Sequence, residues 1–406
     1  MRKINTSDFR VARRTTSREV NRQIALNVVR EHQPISRAQL ARKMDIGRGV
    51  ISVLVNELIE SGNLFEGSTG DALRGRKPVF LHVKTSDRYA VAVDVRFSET
   101  FLMLTDFSGR RIALERFPTY FDPKKFTANL AERISSLLDA NNAHSNCEGI
   151  GLVVPGIVES HTGLIIKAPT LGWEMLDISR ELGQKTGLPV QVENAAKACA
   201  LAQMWLVSSV TPDTFVHLSV SDGVGVGIVY GGEIVRGRDS LAGEFGHIPL
   251  NIDGPTCTCG SNGCWEAYIS NIATVSRYLG RNMFEKNGDF KTRTSESDLR
   301  IGDIIARARS GDQKATDALK ITGGYLGIGL NNIINAINPA RIYIGGEITI
   351  AWDLIENDVR KALSERALTR SSAETPIQIT TTSEYPRLRG AAALVAAPTF
   401  VAPRVG

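Results

Sequence analysis

Apolar positions in the first sixty residues recur at helical spacing. In REVNRQIALNVVREH (18–32), Val20, Ile24, Leu26, Val28 and Val29 share one helical face. Pro34 closes that segment, because proline has no N–H with which to continue the ladder. Ser36 opens SRAQLARKMDI, where a hydroxyl before a helix-favouring run is an N-cap signal, and Leu40, Ala41 and Met44 carry the period. Gly47 breaks the chain before RGVISVLVNELIESGN, whose predicted buried stripe is Val50, Ile51, Leu54, Val55, Leu58 and Ile59, with Gly62 as terminator. Three short helices with a tight break before the third predict a helix-turn-helix rather than a plain bundle. The N-terminal end of the third would enter a major groove, so Arg48 and Ser52, with Arg37 from the second helix, are the expected DNA contacts.

The pattern then changes to β. Leu64–Glu66 and Val79–Val83 are short extended runs that flank a glycine-rich, basic tip containing Arg74, Arg76 and Lys77. A hairpin directly after three such helices predicts a wing. Its glycine permits close backbone approach, and its arginines suit a narrow, electronegative minor groove. Charge agrees with this division. The chain has 406 residues and a net charge of +5, but residues 1–84 hold 16 Lys/Arg against 8 Asp/Glu, whereas the remainder holds 32 against 35. A basic module on a mildly acidic body points to a polyanion, double-stranded DNA, as the partner of the first module alone.

Beyond residue 85 strands and helices alternate. Tyr89–Val95, Glu99–Thr105 and Gly149–Pro155 are apolar strands, a polar helix is expected around Lys124–Asn141, and the alternation resumes at 187–205, 214–236 and 318–346. An α/β body follows. No run of about 18 apolar residues is present, so no membrane span is expected. The N-terminal MRKINTSDFRVARRTT has no apolar core of a secretory signal, so the expected location is cytoplasmic. Cys147 and Cys199 stand alone in apolar surroundings and are expected to be buried thiols. Cys257, Cys259 and Cys264 fall within eight residues, a cluster that in a cytoplasmic chain favours metal over disulfide.

The segment DGVGVGIVYGGEIVRGRDSLAGEFGHIPL followed by CTCGSNGCWEAY resembles the ROK family of repressors, open reading frames and kinases. Pro155-Gly156, APTLGW at 168–173, VEN at 192–194, IGGE at 344–347 and GAAALVA near the C-terminus extend the resemblance over nearly the whole chain. It implies a two-lobed, actin-like (ribonuclease H-like) ATPase-type body, which in the repressor branch follows a winged helix-turn-helix. The expected division is residues 1–84 for DNA, 85–194 with 381–406 for the first lobe, and 195–380 for the second lobe with the metal motif. His247, Cys257, Cys259 and Cys264 then form H-x9-C-x-C-x4-C, a ligand set for tetrahedral Zn2+ with no open position, hence a structural site. The resemblance also assigns sugar contacts to Asn194, Glu244, His247 and Glu266, with one imidazole nitrogen on zinc and the other facing the sugar.

Two departures separate this chain from the kinases it resembles. Those carry Asn-Asp after the equivalent strand, the Asp being the general base; here Asn194 is followed by Ala195. General-base catalysis contributes about 10²–10⁴-fold. The kinases also carry a phosphate-approaching Asp-x-Gly-Gly-Thr; here the row reads Asp94-Val95-Arg96-Phe97-Ser98, and Phe97 with its neighbours is expected to obstruct phosphate. Gly223, Gly225 and Gly227 remain, as do Gly345 and Gly346, and are expected to serve packing. The expected function is a sugar-responsive repressor of carbohydrate-metabolism genes, not an enzyme, acting as a homodimer or homotetramer. A sugar kinase with a DNA-binding domain and a regulator controlled by a protein partner are the alternatives.

Overall fold

The structure is a computed structural model and describes residues 18–69, 77–159, 161–205, 211–280, 299–381 and 385–400. The basic module contains helices α1 (Arg18–His32), α2 (Arg37–Met44) and α3 (Arg48–Glu60) and strands β1 (Ile35–Ser36), β2 (Leu64–Thr69) and β3 (Val79–Val83). Ser36 and Gln39 form a reciprocal capping box that starts α2, and Asp45 ends it in the left-handed region at φ 52°. Leu26, Leu40, Met44, Ile51, Leu54 and Leu58 make the core. The β2–β3 hairpin is antiparallel with Leu64 opposite Val83, and β1 adds a third strand beside β3 that sequence periodicity had not revealed. Two residues are too short for a periodic signal. Val50 corrects the expected α3 stripe: it is 51% exposed, and Val53 is 47% exposed. Ile51, Leu54, Val55 and Leu58 already fill the inward face, and Val50 lies about 100° round the helix from Ile51.

The body holds two five-stranded sheets. In the first, β4 (Tyr89–Val95) pairs antiparallel with β5 (Glu99–Asp106), which pairs with β6 (Arg111–Pro118). On the other side β4, β7 (Cys147–Val154) and β11 (Val190–Asn194) run parallel. A small antiparallel sheet of β8 (Ile157–Val158), β9 (Ile165–Ala168) and β10 (Trp173–Leu176) lies between β7 and β11 in sequence. Helices α4 (Pro123–Ala140) and α5 (Ile178–Thr186) cover the face carrying Val91, Val93 and Leu102. The second sheet is ordered β14-β13-β12-β15-β16, with β12 at Phe215–Val220, β13 at Val224–Tyr230, β14 at Glu233–Ile234, β15 at Ile342–Gly345 and β16 at Ile377–Ile379. Its outer face packs on the helices Gln313–Ile337 and Trp352–Arg366.

Between the sheets lie two helices side by side, α6 (Ala195–Trp205) and the C-terminal helix Pro386–Ala396. All eleven residues of α6 are buried, the signature of a helix enclosed on every face. Small residues make this possible. A β-carbon at Gly151 would stand 1.8 Å from the Ala391 carbonyl oxygen, and one at Gly227 would stand 2.5 Å from that of Ala196. Gly225 and Gly227 therefore let β13 touch α6, the packing role expected of them. No helix among the described residues is long and apolar enough to cross a membrane.

Candidate functional site

The His/Cys cluster that could hold a metal is built by one short irregular segment docked on β13. A 3₁₀ turn, Phe245–His247, is pressed against the sheet, where a β-carbon at Gly246 would stand 2.6 Å from the Val224 carbonyl oxygen. Gly260 and Gly263 take φ of +94° and +71°, open to glycine, and return the chain so that Cys257 N–H donates to the Ser261 carbonyl at 2.8 Å. One ligand atom from each of His247, Cys257, Cys259 and Cys264 lies within 4.8 Å of the others. The Cys259 and Cys264 sulfurs are 3.6 Å apart, and Cys257 Sγ is 3.7 Å from His247 Nδ1. A tetrahedral zinc with its usual bond lengths gives S–S edges of about 3.8 Å and S–N edges of about 3.6 Å. Burial, then the Glu266 carboxylate, push the Cys257 thiol well above its usual range; burial and Cys259 raise Cys264 to about 11. A divalent cation would reverse this preference by stabilising the thiolates.

His247 turns Nδ1 toward the thiols and Nε2 toward Glu244, 3.9 Å from Oε2. Burial raises the Glu244 carboxyl, while His247 and Lys197 oppose the shift. Glu266 is buried and committed internally: Val224 N–H donates to Oε2 at 2.8 Å and the Thr258 hydroxyl to Oε1 at 3.0 Å. Asn194 serves as the cap of α6, its Oδ1 accepting from Ala196 and Lys197 N–H at 2.9 and 3.2 Å, while Nδ2 donates to the Gly156 carbonyl at 2.8 Å. Glu266 Oε1 also accepts from Cys257 Sγ at 3.5 Å, so the polar capacity left is one Asn194 Nδ2 proton, the second lone pair of Glu266 Oε2 and the Glu244 carboxylate.

Sequence reasoning missed three residues here. Lys197 is buried on the first turn of α6 and donates from Nζ to the Ser240 carbonyl. Glu193 is buried and pairs with Arg236 at 2.9 Å, while its Oε1 accepts from Asn194 N–H. These groups tie α6 to the loop that carries Glu244. No periodicity marks them, because a lone Lys in an alanine-rich helix reads as a surface residue.

Just beyond β4, Phe97 packs its ring on Phe121, with centroids 5.3 Å apart. Arg96 also reaches between the lobes. Its Nε meets Asp94 Oδ2 at 2.7 Å, and its Nη1 lies 3.8 Å from Glu347 of the second lobe. Arg387 approaches the same buried Asp94 at 3.3 Å. Of the run expected to obstruct phosphate, Phe97 with its neighbours, the Phe97 ring is turned onto Phe121 and the Arg96 guanidinium lies between Asp94 and Glu347.

The residues expected to contact DNA lie on α2, α3 and the hairpin. Arg48 is exposed at the start of α3. Ser52 donates to the Arg48 carbonyl at 2.9 Å, and its own carbonyl accepts from Arg37, whose guanidinium also pairs with Glu66 at 3.0 Å. Lys77 is exposed at the base of the wing; Arg74 and Arg76 lie outside the described residues.

The basic module is fastened to the body through α1. Gln23 and Asn27 donate to the carbonyls of Thr399 and Phe400 at 2.6 and 2.9 Å. The Arg30 guanidinium lies 4.6 Å from the Trp205 ring centroid and 4.9 Å from that of Phe400. Burial lowers Arg30 to about 10, so it stays charged at neutral pH. Trp205 is the last residue of α6, the helix that Asn194 caps.

The family model described as "ROK family" matches residues 90–397. The chain belongs to the ROK family. Among ROK relatives, a putative xylose repressor from Caldicellulosiruptor sp. (strain Rt8B.4) is 29% identical, covering 93% of this chain and 96% of the relative. A glucokinase from Halalkalibacterium halodurans is 30% identical, covering 73% of this chain and 91% of the relative. The crystal structure of a ROK family transcriptional regulator, a homologue of the E. coli Mlc protein, superposes with a TM-score of 0.78 at 25% identity over 94% of this chain and 97% of that one. The ROK body and its winged helix together therefore match a regulator along almost their full length.

Proposed function

We propose that this ROK chain is a sugar-responsive transcriptional repressor of carbohydrate-metabolism genes, without phosphoryl-transfer activity. It binds a double-stranded DNA operator through its winged helix, as a homodimer or homotetramer whose symmetry matches a pseudo-palindrome. His247, Cys257, Cys259 and Cys264 hold a structural Zn2+, and the metal fixes the imidazole whose Nε2, with Glu244, Glu266 and Asn194, takes the sugar hydroxyls. The observation that carries the reading is the path of α6. Its capped N-terminus lies beside the loop of Glu244, and its C-terminal Trp205 stacks on Arg30 of the DNA-binding module. Sugar bound in the cleft moves that N-terminus relative to the Glu244 loop, and α6 carries the movement to α1. Only a difference in sugar affinity between the two arrangements can drive release, and the coupling is reciprocal. A hundredfold change in DNA affinity corresponds to about 2.7 kcal/mol.

The test is fluorescence anisotropy of the full chain on the DNA upstream of its own gene, at fixed salt, with a panel of monosaccharides. Tight binding released by one sugar is the expected result. Tight binding that no sugar changes would overturn the sensing reading and move the signal to a protein partner. Arg48→Ala is expected to weaken operator binding and reduce the salt slope by about one, leaving sugar affinity unchanged; equal loss of both would remove its role as a DNA contact. Sugar-dependent ATP consumption is expected to stay at background in a coupled assay, and Ala195→Asp alone is not expected to restore it, because Arg96 still occupies the cleft. Turnover by the natural chain would favour the kinase alternative.

A further inference from the structure

The recognition helix carries an apolar feature that the basic contacts do not explain. Val50 and Val53 are 51% and 47% exposed, while Ile51, Leu54, Val55 and Leu58 fill the core beneath them. Positions three apart are neighbours on a helix, so the two isopropyl groups form one small patch. Gly49 precedes the patch, and a β-carbon there would meet nothing within 4 Å. The N-terminal half of α3 thus presents, in order, an exposed Arg48, a bare backbone at Gly49 and two valines. The polar groups that could have specified hydrogen-bonded readout are turned elsewhere: Ser52 bonds back to the Arg48 carbonyl, and Arg37 pairs with Glu66. Valine is also a weaker helix former than alanine, so nothing in helix propensity favours two of them on a solvent face.

We propose that Val50 and Val53 are specificity-determining residues that read thymine C5-methyl groups in the major groove. The inference rests on the repressor reading. Among the four bases only thymine offers an apolar group at the major-groove edge, and a branched aliphatic side chain at the N-terminal half of a recognition helix is its chemical complement. The excess of 16 Lys/Arg over 8 Asp/Glu in residues 1–84 favours a polyanion over an apolar protein as the partner of this module, and Arg48 is exposed beside the valines. Phosphate contacts such as that of Arg48 position the helix, and the valines select A·T pairs in a chosen orientation.

The experiment begins with selection of bound duplexes from a randomised library by the full-length chain at fixed salt. Each thymine of the enriched duplex is then replaced by deoxyuridine, which removes only the methyl group, and affinities are measured for the natural chain, Val50→Ala and Val53→Ala. Both positions are exposed and alanine favours the helix, so the variants fold. Burying one methyl contributes enough that the natural chain is expected to lose about fourfold affinity at each contacted thymine. At least one of those penalties is expected to vanish in Val50→Ala or Val53→Ala. Affinity unchanged by every deoxyuridine, or the same penalties in both variants, would overturn the proposal while leaving the repressor reading intact. Failure to enrich any duplex would overturn both.

Discussion

Replacement of Cys259 by alanine is expected to empty the metal site, lower the melting temperature and abolish the sugar response together. Cys259 is the informative ligand because it is exposed, so its truncation removes little packing and the effect reports the metal. The three remaining ligands are too few for a closed tetrahedral site, and burial holds the Cys257 thiol well above its usual range once no cation opposes it. The segment they close contains few apolar side chains; its own buried cluster is Cys257, Cys264 and Ala267. Metal ligation would substitute for a core in that segment, and its binding energy would be folding energy. A loss of about 3 kcal/mol would lower the melting temperature by roughly 6–12 °C in a domain of this size. The natural chain is expected to carry one zinc per polypeptide by atomic emission, and a strong chelator should reproduce the variant. A zinc-free variant that melts with the natural chain and still responds to sugar would remove the metal from the mechanism.

The second large effect is on coupling. Arg30→Met is expected to leave operator affinity and sugar affinity within about threefold of the natural chain while cutting sugar-driven release by about tenfold. Methionine preserves the length and apolar stem that fill the space between Trp205 and Phe400 but removes the cation that both rings face. Loss of a buried charge offsets the lost cation–π attraction, so stability should change little, and the change should appear in communication between sites. The measurement is a linkage square: DNA affinity with and without sugar, and sugar affinity with and without DNA, on both chains. The two ratios must agree within each chain, because coupling is reciprocal. An unchanged ratio in Arg30→Met would show that the signal reaches the winged helix by another route, the hydrogen bonds of Gln23 and Asn27 to Thr399 and Phe400 being the next to alter.

The sequence by itself determined the features that depend on near neighbours. The N-cap at Ser36, the helical period of the third helix and three cysteines within eight residues are local patterns, and local physics is enough to fold them. The two missing requirements of phosphoryl transfer were also local, since Ala195 and the glycine-free run after Asp94 are read directly from the chain. Tertiary structure alone decided the rest. Arg30 meets Trp205 and Phe400 across 175 and 370 residues, and no pattern in a single chain encodes such a separation. The enclosure of α6 by two sheets buries Lys197, which its immediate neighbours do not foretell. Val50 belongs to an apolar run whose members look equivalent in sequence, yet it stays exposed while Ile51, Leu54, Val55 and Leu58 are buried and Ile59 packs against the same core, and the packing of α1 and α2 chose which. Arg96 and Phe97 were interchangeable as obstacles until Phe121 offered the ring a buried partner and Asp94 and Glu347 held the guanidinium between the lobes.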